Sequence, residues 1–182
     1  GVTDRLDGGA GEHRLLQELL LGIGGVRALK AYCGLSGTAF PEVFHTNEGH
    51  AGFLGLERIS DWIGEGLDFR AALEVTRAAT VFTTHTPVEA GFDKFDYDLV
   101  ERVLGDYIER DILAHLAGAD QLNMTHLALN LSGYVNGVAR RHAETTRKLF
   151  PGYTIASITN GVHVHRWTHG AIARLFEQQF SN

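Results

Sequence analysis

Apolar residues recur along this chain with two periods. Between residues 12 and 31, Leu15, Leu16, Leu19, Leu20 and Ile23 fall three and four apart, which predicts a helix. Gly24 and Gly25 are expected to break it into two. Residues 48–63 keep the same period through Phe53, Leu54, Leu56, Ile59 and Trp62. Further helices are expected over 68–78, with Asp68 as N-cap, and over 99–116, 124–132, 140–150 and 171–180. Between them lie short apolar or β-branched runs at 42–45, 79–84, 133–138 and 153–159, which predict strands. The run ATVFTT has the composition of a buried parallel strand. The segment GFDKFDYD is expected to be a loop. Strands alternating with helices imply an α/β fold, a mostly parallel sheet with helices on its faces.

Composition bounds the picture. The chain has 182 residues, enough to bury a core as one domain over 1–182. It shows no internal repeat, low-complexity tract or long linker. A net charge of −6 argues against nucleic acid or an anionic membrane as partner. The lone Cys33 cannot form an internal disulfide, which favours a reducing, cytoplasmic setting. No apolar run is expected to span a membrane, and no signal peptide is visible. The only methionine is Met124, so the chain is expected to be an internal piece of a longer protein.

Candidate chemistry gathers just after the predicted strands. FHTNEGH (Phe44 to His50) follows one, FTTHTPVEAG (Phe82 to Gly91) ends another, and ITNGVHVHRW starts at the close of a third. Ligands of open α/β sheets bind at the carboxyl ends of strands. Three polar turns can therefore converge on one pocket. Asn, His and Glu offer the short donors and acceptors that sugar hydroxyls require. On residue type alone, Asn160-Gly161 reads first as a plain turn, and His85 as a strand-end core or capping residue. Asn47 and Glu48 can serve as helix cap and first-turn carboxylate.

Taken in order with YVNGVARRHAE (Tyr134 to Glu144), these segments resemble the α-glucan phosphorylases, the glycogen and starch phosphorylase family, and most closely its bacterial branch. The resemblance runs from about Gly1 to Trp167. It implies a Rossmann-like sheet with helices on both faces, forming the later part of the N-terminal domain of a glycosyltransferase-B fold. It implies the phosphorolysis of α-1,4-glucans to α-glucose 1-phosphate, with pyridoxal 5′-phosphate as cofactor. It places Asn160 on the 6-hydroxyl of the glucose at the scissile bond and His85, the catalytic candidate, beside the same sugar. Glu48 and His50 fall at the edge of the glucose pocket, with Asn47 beside them, and Glu89 lies on the adjoining loop. Asn136 and Gly137 match the family but are expected to turn the chain between strand and helix. The cofactor lysine belongs to a C-terminal domain absent from this chain: Lys30, Lys94 and Lys148 do not resemble its segment. The partners implied are glucan, phosphate, the missing C-terminal domain and a homodimeric copy. The isolated chain is expected to be inactive.

Other signals point elsewhere more weakly. GIGG at Gly22 to Gly25 lacks the spacing of a dinucleotide fingerprint. His163, His165 and His169 have the spacing of metal ligands, but no HExxH motif or cysteine pair accompanies them, and no metal is expected. No GxSxG elbow occurs. A non-catalytic sugar-binding domain and a fragment of a nucleotide-sugar glycosyltransferase stand as alternatives.

Overall fold

The apolar runs pair into sheets in a computed structural model, which describes residues 1–3 and 11–180. Part of the opening segment that carries the family resemblance, residues 4–10, lies outside the described residues. The strands are β1 (Phe44–Asn47), β2 (Thr80–Thr84), β3 (Lys94–Phe95), β4 (Leu122–Asn123), β5 (Tyr134–Gly137) and β6 (Ala156–Ser157). Four of them form one sheet in the order β1-β2-β5-β6, parallel at every pairing. β3 and β4 form a separate antiparallel pair. The helices are α1 (Glu12–Leu19), α2 (Gly25–Ser36), α3 (Phe53–Gly64), α4 (Phe69–Ala78), α5 (Tyr97–Leu104), α6 (Arg110–Ala117), α7 (Met124–Asn130), α8 (Arg140–Leu149), α9 (Val164–Trp167) and α10 (Gly170–Phe180). The parallel sheet flanked by helices agrees with the alternating pattern of the sequence.

Register explains which strand residues are apolar. Thr46 pairs with Phe82, and Phe82 with Val135, so alternate side chains align on one face. There Phe82 and Val135 pack with Ala128 and Leu129 of α7 and Ala143 of α8. The opposite face carries His45, Asn47 and Tyr134, all exposed. A larger core joins the helices through Leu15, Phe53, Leu56, Val100, Leu113 and Leu127. Each fully buried Leu or Phe stabilises the fold by about 1.5–3 kcal/mol.

Several boundaries differ from the sequence pattern, each for a local reason. Gly24 and Gly25 do not break the first helix. Both keep helical dihedrals, and a π-helical turn over Leu20–Gly24 joins α1 to α2. The glycine that matters there is Gly22, where a Cβ would lie 2.7 Å from Phe53 Cβ and 2.8 Å from Leu54 N. The joined helix Glu12–Ser36 is, by length and composition, apolar enough to cross a membrane, contrary to expectation. It instead packs its Leu15 and Ile23 on the common core and buries the ionisable Glu18. The helix expected over 99–116 is two, because Gly105 at φ 56°, ψ −136° cannot continue α5. The loop GFDKFDYD contains β3. The strand expected at 153–159 shrinks to two residues. Asp68 caps α4 as expected, accepting from Ala71 N at 2.8 Å. α10 has no buried residue, and Trp167 and Phe180 are 78% and 76% exposed.

Gly22 and Gly25 are therefore expected to respond oppositely to alanine in urea unfolding. Gly22→Ala should cost about 1–3 kcal/mol by overpacking against α3. Gly25→Ala, which meets open space, should gain about 0.5–1 kcal/mol from helix propensity.

Candidate functional site

The carboxyl ends of the four parallel strands lie along one edge, and Glu48 ties two of them together. Its amide extends the β1–β2 ladder by donating to Thr83 O at 2.8 Å. Its side chain then crosses to the loop after β2. Oε2 accepts from His85 N at 2.7 Å, Thr86 N at 2.8 Å and Thr86 Oγ1 at 3.0 Å, and Oε1 accepts from Thr84 Oγ1 at 3.2 Å. Glu48 is also the sole non-glycine residue at positive φ among the described residues, at φ 63°, ψ 175°. That region is nearly reserved for glycine and costs roughly 1–3 kcal/mol. Four hydrogen bonds hold it in place. The helix begins only after this kink, with a 3-10 turn over Gly49–Ala51. Glu48 therefore braces the site, and it is neither a first-turn helix carboxylate nor a free one.

Three sequence-predicted residues share this edge with open side chains. Asn47 ends β1, and His85 follows β2 directly. Asn160 joins through the backbone: Ile158 N donates to Gly137 O at 3.0 Å, and Asn160 N to Val138 O at 2.9 Å. Thr84, just before His85, pairs with Gly137, just before Val138. His85 and Asn160 thus both lie just past the carboxyl ends of β2 and β6, with β5 between them. All three are exposed, and no hydrogen bond among the described residues engages their side chains.

Beneath the edge runs a polar rung that the sequence did not signal. Thr83 Oγ1 donates to Asn136 Oδ1 at 3.0 Å, so His45 Nε2, 2.7 Å away, donates to Thr83. Asn136 is buried inside β5 and does not turn the chain, as its Asn-Gly context suggested. It locks three strands in register.

His50 and Glu89 lie in other settings. His50 Nδ1 is 3.0 Å from Glu18 Oε1 and 3.3 Å from Asp93 Oδ2. Arg14 Nη2 reaches the same three groups, at 3.1 Å from each carboxylate and 2.7 Å from His50 Nδ1. The ligand atoms of Glu18, His50 and Asp93 are close enough for a metal ion. The Arg14 guanidinium already occupies the cation position between them. Hydrogen bonding to Asp93, then to Glu18, pushes His50 up to about 9. Hydrogen bonding to His50, aided by Arg14, holds Asp93 down at about 2. Burial pushes Glu18 up against these contacts, and its Oε2 has no partner among the described residues. Glu89 is exposed and bonds Lys94 Nζ at 2.8 Å, which lowers its pKa. Its turn abuts the His85 loop at Gly91, where a Cβ would lie 2.7 Å from Thr86 Cγ2.

The remaining candidates are structural. His163 Nδ1 accepts from Arg166 N at 3.1 Å, and His169 Nδ1 from Ala171 N at 3.2 Å, so both act at helix starts. The lysines do not fit a pyridoxal phosphate Schiff base. Lys30 is paired with Asp61, Lys94 with Glu89, and Lys148 lies exposed on α8. None stands at the strand-end edge.

No protein-family model matches the chain. Curated relatives do. Glycogen phosphorylase of Mycobacterium tuberculosis is 45% identical over 91% of this chain, and maltodextrin phosphorylase of Thermococcus litoralis 39% identical over 97%. Nearly the whole chain is homologous to a stretch of the α-glucan phosphorylases. Glycogen phosphorylase of Aquifex aeolicus is 29% identical over 91%. The chain spans 22% of the length of the first two relatives and 25% of the third. The aligned share of the chain contains both the Glu48 brace and the open edge.

Glu48→Ala is expected to cost about 1–3 kcal/mol by stranding its donors. In hydrogen exchange, the amides of His85 and Thr86 should then lose protection while the β5 amides keep theirs. The His50 cluster gives a pH signature. A raised histidine pKa contributes stability that is complete below its ordinary value of 6.5 and is lost as pH rises through about 9. Glu18, also raised, acts in the same direction. Thermal melts from pH 6 to 10 should show a falling midpoint that His50→Gln flattens.

Proposed function

We propose that this chain is the glucose-binding side of an α-1,4-glucan phosphorylase. The observation that carries the reading is the strand-end edge where Asn160 and His85, unengaged and exposed, share a line with Asn47 above a hydrogen-bonded rung. Homology to proteins named glycogen and maltodextrin phosphorylase supplies the reaction class. In that reaction inorganic phosphate cleaves the terminal α-1,4 bond of a glucan, and α-glucose 1-phosphate leaves with its configuration retained.

Within it, the residues of this chain bind and orient. The Asn160 amide donates to and accepts from a sugar hydroxyl, and His85 borders the same ring. Glu48 and His50 act one layer back, holding the turns that present them. Fixed donors need no reorganisation when charge develops on the sugar. Pyridoxal 5′-phosphate supplies a phosphate for proton relay when bound to the complete enzyme. The lysines here do not suit it, so its domain is assigned to sequence outside this chain. The exposed apolar residues Trp167, Phe176 and Phe180 support a contact with that part. On this reading residues 1–182 belong to the N-terminal domain of a longer cytoplasmic enzyme, itself a homodimer.

Half a cleft cannot orient two reactants. The 182-residue chain is therefore expected to form no glucose 1-phosphate from maltodextrin and phosphate. The longer protein containing it should do so. In that protein Asn160→Ala should lower kcat/KM by about ten- to a hundredfold, the loss of one or two hydrogen bonds. Turnover by the isolated chain, or an unchanged kcat/KM in Asn160→Ala, contradicts the proposal.

A further inference from the structure

The joined helix Glu12–Ser36 is apolar on its outer side as well as its inner one. Inward, Ile23, Val26 and Cys33 are buried. Outward, Leu21, Gly25, Ala28, Tyr32 and Leu35 follow one another at steps of four, three, four and three, and all are exposed. Leu35 is 90% exposed and Tyr32 62%. Beyond Leu21 the helix carries two charges, Arg27 and Lys30. Both reach across to α3, Arg27 onto Glu57 at 2.8 Å and Lys30 onto Asp61. A helix face meant for water carries charges, whereas a helix apolar all round is a buried one. This outer line therefore has the chemistry of a contact, with the neighbouring charges already neutralised. Gly25 and Ala28 in its middle let a second helix axis come close. A Cβ at Gly25 would meet nothing within 4 Å.

The size of the line selects its occupant. From Leu21 to Leu35 it runs about 22 Å along the helix and is about 10 Å wide. That is on the order of 200 Å², against about 800 Å² per partner in a stable complex. A second copy or a separate protein would gain too little there to offset the freedom lost on association. A segment of the same polypeptide has already lost that freedom through its covalent link. A bilayer suits the line less well, because the flanking cations are paired with carboxylates and not free for anionic head groups. The chain spans 22% of the length of its first two relatives, which leaves ample sequence to supply such a segment. We propose that the line from Leu21 to Leu35 is the seat of an apolar helix from the longer polypeptide, outside residues 1–182. Trp167, Phe176 and Phe180, on α9 and α10, take no part in it. The proposal rests on this chain being part of a longer protein, and not on phosphorolysis.

Hydroxyl-radical footprinting of the longer protein, read by mass spectrometry, tests this without any substitution. Tyr32 should lose the reactivity of an exposed side chain and oxidise as slowly as Tyr97, which is buried. Its protection should not change on dilution. A photocrosslinking side chain, introduced as Leu35→p-benzoylphenylalanine, then identifies the occupant. The crosslink should join this position to a segment of the same polypeptide outside residues 1–182. A freely oxidised Tyr32, or protection lost on dilution, overturns the proposal, and this readout decides alone if the crosslinking variant does not fold. A crosslink between two copies, one within residues 1–182, one to lipid when phosphatidylcholine vesicles are added, or none at all also overturns it. Phosphorolysis is assayed on the same preparation. Protection and the expected crosslink in a protein without phosphorolysis would sink the phosphorylase reading and leave this contact standing. Phosphorolysis with a freely oxidised Tyr32 would do the reverse.

Discussion

The carboxylate of Glu48 is the contact on which the site depends. It sits where the backbone is strained, at φ 63°, and it takes four donors from the next strand end. The two facts explain each other. A conventional helical start after Asn47 would carry this side chain along the helix and away from Thr84 to Thr86. The kink redirects it across the sheet, and the hydrogen bonds offset the cost of the kink. Without them the loop backbone of His85 and Thr86 would lose its link to the end of β1.

The same turn is held from its other side. Two residues beyond Glu48, His50 enters the charged cluster of Arg14, Glu18 and Asp93. That cluster links the end of β1 to α1 and to the segment after the Glu89 turn. The end of β1 is therefore clamped toward β2 by one acidic residue and toward the helical body by one histidine. The Thr83–Asn136 bond beneath fixes β2 against β5. Buried and half-buried polar groups do this holding, and the side chains left over, Asn47, His85 and Asn160, face outward. A rigid backing with free polar tips is the arrangement in which binding groups lose least entropy when a sugar arrives.

Much of this was legible from the sequence, and the misreadings have physical causes. The alternation of strands and helices, the Asp68 cap and the clustering of chemistry after strands all follow from periodicity and residue type. The role of Glu48 was not legible. Its position after Asn47 suits a helix cap equally well, and only the long-range pairing of β1 with β2 decides between them. Asn136-Gly137 carried the local signal of a turn, yet burial against Thr83 keeps it in a strand. Gly24-Gly25 carried the signal of a break, yet packing of Gly22 on Phe53 rewards continuing the helix. His45 gave no warning of its bond to Thr83, because only the pairing of β1 with β2 brings the two side chains together. Tertiary contacts overrode local propensity at each of these places.

The most direct test is a crystal structure of the longer protein carrying this segment, with a maltodextrin bound. The account predicts a glucose unit across the strand ends, with the Asn160 amide on one of its hydroxyls and the His85 ring beside it. The Glu48 carboxylate should remain on the amides of His85 and Thr86. A Glu48 carboxylate released to bind the sugar, or a maltodextrin bound in the cleft away from Asn160 and His85, would contradict it.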